Sequence, residues 1–517
     1  MRLALIILAI LAAFSLASVL ALYSYGRFVE RVLGARSFAF PVSGSTTRLD
    51  DAVALLLAER PGQSGLMLLD DNLEAFAIRA LTARHAGRSL DLQYYTWKGD
   101  LTGHLLAGEI VKAADRGVRV RLILDDINAQ RYDRTTLALD AHPNIEVRLY
   151  NPSRNREGAL RRGLEMLLRI IRVTRRMHNK AWIADGRLAI VGGRNIGDPY
   201  FDAAANTNFR DLDVLAVGAA VGQTESIFDD YWNSKAVVPI GALGKSREGD
   251  LQDLRKRLAD IPSHERARPY LDRAAENESV RRMMSGKREI HWTEKARVIA
   301  DPPEKVVGAG QETWLKNVVI PALASARTDL EIISPYFIPG EAGTDRLVRL
   351  AQQGVRVSIL TNSLAATDVV AVHGAYARYR GPLIEQGVNL FELKPYDVSS
   401  DISLFGSSSA SLHTKAFTVD ERAGFVGSMN FDPRSVSLNS EMGLFFEHDG
   451  LVAEIREIFA EEASPQKSYR VHLADGDIIW RDDAMEPARI FHEEPGASLG
   501  QRLTAWIISF LPIESQL

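Results

Sequence analysis

The sequence predicts an α/β protein of two tandem, similar domains. Each is a mixed, mostly parallel sheet flanked by helices, packed about a pseudo-two-fold axis around one shared active site, with a transmembrane helix in front. Three observations predict it: a short polar motif that occurs twice at constant offset, a strand–helix–strand pattern that repeats with it, and an apolar run at the N-terminus. A chain of 517 residues is too long for one hydrophobic core and suits two domains of about 200 residues each with additions.

From the start, residues 3–22 are apolar except for Ser15 and Ser18, close to the roughly 20 residues that cross a bilayer. Tyr23 and Tyr25 follow where interfacial aromatics belong. We read residues 1–26 as a retained membrane anchor, with a signal sequence cleaved after Val19-Leu20-Ala21 as the alternative, which would export the protein. Arg27, Arg31 and Arg36 outnumber Arg2, which places the catalytic part on the cytoplasmic side. Residues 27–43 form a lead-in, 44–239 the first domain, 240–295 a charged helical linker, 296–472 the second domain and 473–517 a C-terminal extension.

Within the domains, Ser89-Leu90-Asp91-Leu92-Gln93-Tyr94 reads as a strand, with a counterpart in Asp329-Leu330-Glu331-Ile332-Ile333. A helical pattern follows each, then a glycine turn (Gly117, Gly354) and a second strand, the signature of parallel βαβ pairing. The stretch from Arg161 to Arg176 sets arginines among Leu and Ile as a basic amphipathic helix, suited to a lipid surface or to packing on the core. The apolar stripe Leu499, Leu503, Trp506, Ile507, Phe510, Leu511 is read as core packing, with membrane contact as the alternative.

The doubled motif is His178-x-Lys180-x4-Asp185 and His413-x-Lys415-x4-Asp420, followed by Gly-x-x-Asn ending at Asn195 and Asn430. Equivalent residues stand 235 apart. Uncharged β-favouring runs (181–184, 416–419) follow each His-x-Lys, and alternation along an extended chain sends His and Lys to one face. Each copy thus offers an imidazole, an ammonium and an amide at one rim, a set suited to a phosphodiester. Lys180, Lys415, Asn195 and Asn430 can donate to phosphoryl oxygens. One histidine can attack phosphorus while the other hands a proton to the leaving alkoxide. A carboxylate should hold the far nitrogen of each imidazole, and Asp211 and Glu441, shortly downstream of the two copies, are the candidates. Asp185 and Asp420 complete the catalytic set, expected to brace the motif rather than touch phosphorus.

Metal and cofactor are both expected to be absent: Lys is a poor ligand, the chain has no Cys, and the lysines can do the electrostatic work that magnesium does elsewhere. A net charge of −4 gives no general case for a nucleic-acid partner. The two motifs resemble those of the phospholipase D superfamily. Gly192-Gly193-Arg194-Asn195-Ile196-Gly197-Asp198, Asp211-Leu212-Asp213-Val214, Tyr231-Trp232-Asn233-Ser234 and Asn430-Phe431-Asp432-Pro433-Arg434-Ser435 resemble its bacterial C-type cardiolipin synthases. That resemblance implies an enzyme of the bacterial cell membrane working through a phosphohistidine. It would form cardiolipin from phosphatidylglycerol, with phosphatidylglycerol or phosphatidylethanolamine as donor. Hydrolysis to phosphatidic acid, a nuclease and a non-catalytic scaffold are the alternatives.

Overall fold

The computed structural model describes residues 1–42, 47–156, 158–395 and 409–517, so the expected domain start at residue 44 lies outside the described residues. A nine-stranded sheet organises the first half, in the order His291–Thr293, Ser64–Leu69, Asp213–Gly218, Leu188–Gly192, Ala181–Ala184, Ser89–Tyr94, Arg119–Asp125, Ile145–Tyr150, Val237–Pro239. A ten-stranded sheet repeats the plan in the second half. Its strands Met442–Glu447, Ala423–Gly427, Ala416–Val419, Asp329–Ile333, Arg356–Asn362 and Asn389–Leu393 lie side by side.

Two similar mixed α/β domains are therefore present, with one correction. Parallel pairing is confined to three adjacent strands in each sheet (89–94, 119–125, 145–150; 329–333, 356–362, 389–393), and the remaining pairs are antiparallel. The reason is local. The motif strand returns through a turn of a few residues, and a connection that short can make only a hairpin. Residues 240–295 were expected to link the halves. Instead they fold against the first half: Leu254, Leu258, Tyr270 and Ala274 join its core, and His291–Thr293 supplies its edge strand.

The halves meet through an apolar layer in which Leu68, Val191 and Val214 of the first pack with Val426, Leu444 and Phe446 of the second. Phe446 is fully buried there, and cutting it to Ala would cost about 3–5 kcal/mol. A second tie is a two-stranded parallel ribbon of Thr207–Arg210 with Ser409–Leu412.

The N-terminal helix runs unbroken from Arg2 to Val32, past the predicted end at residue 26. Its apolar stretch is exposed, whereas Tyr25 and Val29 dock against Val238. The lead-in stays on the body: Arg148 Nη2 donates to Ala35 O at 2.6 Å and Ala39 N to Asp229 Oδ2 at 2.8 Å. The C-terminal helix Leu499–Ser509 overturns the core-packing expectation, because only Ala505 is buried and the predicted stripe faces outward.

Candidate active site

Each motif occupies a hairpin that the sequence marks plainly. Ala181–Ala184 turns through Asp185, at φ 55°, into Leu188–Gly192, and Ala416–Val419 turns through Asp420, at φ 54°, into Ala423–Gly427. Both residues sit in the left-handed region that Asp tolerates better than most. Asp185 accepts backbone N–H groups of Gly87, Arg88 and Ser89 at 2.9, 2.7 and 3.0 Å. Asp420 accepts those of Arg327, Thr328 and Asp329 at 3.0, 2.9 and 3.2 Å. The strand length separates these carboxylates from His178 and His413, so among the catalytic set they are the two placed to brace.

The histidines enter just before the strands and are fixed across the domain boundary. His178 N donates to Ser440 O at 2.7 Å and His413 N to Arg210 O at 2.7 Å. The carboxylates are exchanged in the same way. His178 Nδ1 meets Glu441 Oε2 of the second half at 2.8 Å, and His413 Nδ1 meets Asp211 Oδ2 of the first half at 2.5 Å. Each acid was expected downstream of its motif, yet each serves the histidine of the opposite half. This reciprocity is what approximate two-fold packing produces. Lys415 Nζ also lies 2.9 Å from His413 Nδ1; we assign the ring proton to the shorter Asp211 contact. In that tautomer Nε2 of each ring carries a lone pair, and neither Nε2 has a hydrogen-bond partner among the described residues.

Glycine makes this crossing possible. A Cβ on Gly193 would stand 2.2 Å from Asp211 Oδ1, so the motif backbone and the carboxylate approach this closely only without a side chain. Glu441 is seated by Ser428 Oγ at 2.5 Å and Ser435 Oγ at 2.9 Å, while its own N–H donates to Asp301 Oδ2 at 2.9 Å.

The four basic groups share one field. Burial pushes the His178 imidazole down to about 4, outweighing the opposing pull of Glu441, with Lys180 and Lys415 acting in the same direction as burial. Burial and Lys415 also lower His413. Burial takes Lys180 well below the usual ammonium range and Lys415 to about 8, despite Glu441 and Asp211 nearby. Burial opposes ionisation of Asp211 and Glu441, but His413 and Lys415 in one case, and His178 and Lys180 in the other, hold both carboxyls below their ordinary range. At neutral pH the site thus holds two carboxylates and two neutral imidazoles.

Lys180 Nζ donates to His178 O at 2.6 Å, and Lys415 Nζ donates to His413 O. Asn195 accepts from Thr96 N at 3.1 Å and donates to Tyr200 Oη at 2.9 Å. Asn430 is buried, with its Oδ1 unpartnered among the described residues. Sequence reasoning missed the rings flanking the imidazoles. Tyr95 stands edge-on to His178 at 5.1 Å, and Tyr200 edge-on to His413 at 5.2 Å. Their signal was present in the aromatic cluster after the first repeat strand and in the Tyr-Phe pair after the first Gly-x-x-Asn. Among the described residues one cluster, His373 with Glu392 and Glu494, brings metal-type donors together. Arg380 already occupies it, donating to Glu392 at 2.8 Å and to Glu494 at 2.7 Å.

Two like α/β halves that each lend a carboxylate to the other's His-x-Lys motif define an enzyme of the phospholipase D type. Residues 81–232 and 319–463 match the family Cardiolipin synthase, PLD-like domain, and the chain belongs to that family. It is 40% identical over 473 residues to cardiolipin synthase C of Escherichia coli, covering 90% of this chain and 99% of that one. It is 25% identical over 382 residues to cardiolipin synthase 2 of Staphylococcus epidermidis, covering 73% of this chain and 64% of that one. The crystal structure of phosphatidylserine synthase from Haemophilus influenzae superposes with a TM-score of 0.56 over 86% of this chain and 91% of that one. At 15% identity this is a likeness of fold.

Proposed function

We infer that this protein is a membrane-anchored phosphatidyltransferase that makes cardiolipin, with phosphatidylglycerol as acceptor and phosphatidylglycerol or phosphatidylethanolamine as donor. The observation that carries the reading is the pair of exchanged His–carboxylate contacts, His178 with Glu441 and His413 with Asp211, set in one buried site with two lysines. The named relative that matches nearly end to end supports the lipid assignment.

In the first step, Nε2 of one histidine attacks the donor phosphorus, and the bond from phosphorus to the head-group oxygen breaks. The departing alkoxide takes a proton from the other histidine. In the second step that histidine takes the proton of the acceptor's hydroxyl, the acceptor oxygen attacks phosphorus, and the phosphorus–nitrogen bond breaks. Lys180, Lys415, Asn195 and Asn430 hold the phosphoryl oxygens and offset charge as it builds. Burial lowers both imidazoles, so the acid takes its proton from solvent as the anionic substrate binds, whose charge raises a neighbouring imidazole. Asp211 and Glu441 keep Nδ1 protonated and Nε2 aimed at phosphorus.

The test is incubation of purified full-length enzyme with isotope-labelled phosphatidylglycerol, with and without phosphatidylethanolamine, and separation of products by mass. Labelled cardiolipin is expected, and a labelled half joined to unlabelled phosphatidylethanolamine-derived phosphatidyl would identify the donor. Phosphatidic acid as sole product would make water the acceptor and overturn the transfer reading. No lipid product at all would overturn the lipid assignment.

A further inference from the structure

Two outward-facing apolar helices lie apart from the chemistry just described. Ala159–Leu168 has no buried residue. Its Leu160 is 87% exposed, and Leu164, Leu167 and Ile170 continue the stripe to Ile171, which is 74% exposed. Leu499–Ser509 is pinned by its small side: a Cβ on Gly374 would stand 2.6 Å from Ala505 O. It presents Leu499 at 83% and Phe510 at 70% exposure, with Leu503 and Trp506 between. Water-soluble surfaces rarely carry contiguous apolar patches of this kind.

Position says what covers them. The N-terminal helix has 31 residues, about 46 Å at 1.5 Å per residue, against a bilayer core of about 30 Å. Its last turns therefore lie beyond the hydrocarbon, and they are the turns that dock on the body without any linker. Arg154 Nη1 donates to Ser24 Oγ at 3.1 Å, and the Arg169 and Arg172 guanidinium groups lie 3.3 and 4.7 Å from the Tyr25 ring centroid. The helix Ala159–Leu168 is thus tied to the anchor one turn past the apolar run, at head-group level. Arg161, exposed, and Arg162, half-buried, have no ion pair among the described residues, and they match an anionic surface in charge.

The C-terminal helix lies on the same rim. Arg434, four residues after Asn430, donates through Nη2 to Thr174 O at 2.8 Å, just past the first apolar stretch. It donates through Nη1 to Gln516 O at 3.2 Å, just past the second. Asp368 accepts from Tyr336 Oη at 2.9 Å beside the site, and the helix that follows it, Val370–Tyr376, carries Leu499–Ser509. The extension is tied there by Glu494, whose Oε1 lies 2.7 Å from Arg380 Nη1 and 3.1 Å from His373 Nε2.

We propose that Ala159–Val173 and Leu499–Leu511 are two interfacial membrane segments that flank the catalytic mouth and seat it on an anionic phospholipid bilayer. The proposal rests on Arg2–Val32 serving as the anchor. Lipids then enter sideways from the leaflet without crossing water. The native chain lacks cysteine, so single cysteines replacing Leu164, Ile171, Leu503 or Phe510, with Lys256 and Asp477 as exposed controls, can carry an environment-sensitive fluorophore. Full-length protein is placed in nanodiscs of phosphatidylcholine and phosphatidylglycerol bearing nitroxide-labelled lipid. The four apolar positions should shift to shorter wavelength and be quenched at least about twofold by the lipid nitroxide, while the controls are not. Quenching at the four positions equal to that at Lys256 would overturn the proposal. Shielding that grows with protein concentration in lipid-free detergent, without lipid quenching in nanodiscs, would also overturn it and assign the faces to a second copy of the chain. No turnover is needed, so this outcome stands apart from the lipid-product assay.

Discussion

Replacing Glu441 by Gln removes one charge and almost no volume from the acid that serves His178. The carboxylate accepts three donors, His178 Nδ1 at 2.8 Å, Ser428 Oγ at 2.5 Å and Ser435 Oγ at 2.9 Å. A glutamine oxygen can keep a serine, and the serine hydroxyls can rotate to accept from its NH2, so the fold should lose only about 1 kcal/mol. The imidazole has less freedom. The anionic partner of Nδ1 is gone, and Ser428 O, 3.0 Å away, is the neutral acceptor that remains. Wherever the amide N–H faces the ring, Nδ1 accepts, the proton moves to Nε2, and the lone pair leaves phosphorus. In serine proteases the equivalent Asp-to-Asn change costs about 10⁴-fold in kcat, so we expect a loss of about 10³- to 10⁴-fold, or about 4–5.5 kcal/mol of barrier. The assay is initial rate on a phosphatidyl ester of p-nitrophenol, beside a thermal melt. This leaving group needs no acid, so the burst of nitrophenolate reports the nucleophilic step alone. Glu441→Gln and Asp211→Asn should differ, and the variant that keeps its burst disables the acid–base histidine, identifying the other as nucleophile. Activity of Glu441→Gln within about tenfold of wild type, with an unchanged melt, would refute the tautomer argument.

Asp185→Ala should act on stability rather than chemistry. It leaves the N–H groups of Gly87, Arg88 and Ser89 without their acceptor and should cost about 2–4 kcal/mol in a urea titration, with activity per folded molecule within about threefold of wild type. The pH profile of kcat/KM should be a plateau. Its acid limb follows the imidazoles, both lowered by burial, His178 to about 4, so whichever of them attacks phosphorus is neutral at neutral pH. Its alkaline limb falls as pH rises through about 8, where Lys415 loses its charge. A profile still rising above pH 9 would exclude Lys415 as the charged phosphate ligand. EDTA should leave the rate within about twofold, and loss restored by added divalent cation would overturn the lysine-based electrostatics.

The hairpins at 181–192 and 416–427, both histidines, both lysines and both orienting acids were legible because their residue types and offsets are local facts. The exchange of acids between halves was not. Whether Glu441 reaches His178 or His413 is decided by how Val191, Val214, Leu444 and Phe446 pack, which no short window records. The excess of antiparallel pairing escaped because βαβ units declare themselves by glycine turns, while the strands Asp213–Gly218 and Met442–Glu447 join by contact alone. The stripe from Leu499 to Phe510 misled for a different reason. Helical periodicity reports which residues share a face, not whether that face meets protein or lipid. The helical patterning of 240–295 was visible, but its docking partner, the first core, was not.

The exchanged acids bear on how this chain is born. A ribosome that has delivered His178 must add 263 more residues before Glu441 emerges to steady that ring. A product released before Glu441 is made carries a first histidine with no proton-holding companion, so the catalytic arrangement can be completed only once nearly the whole chain exists.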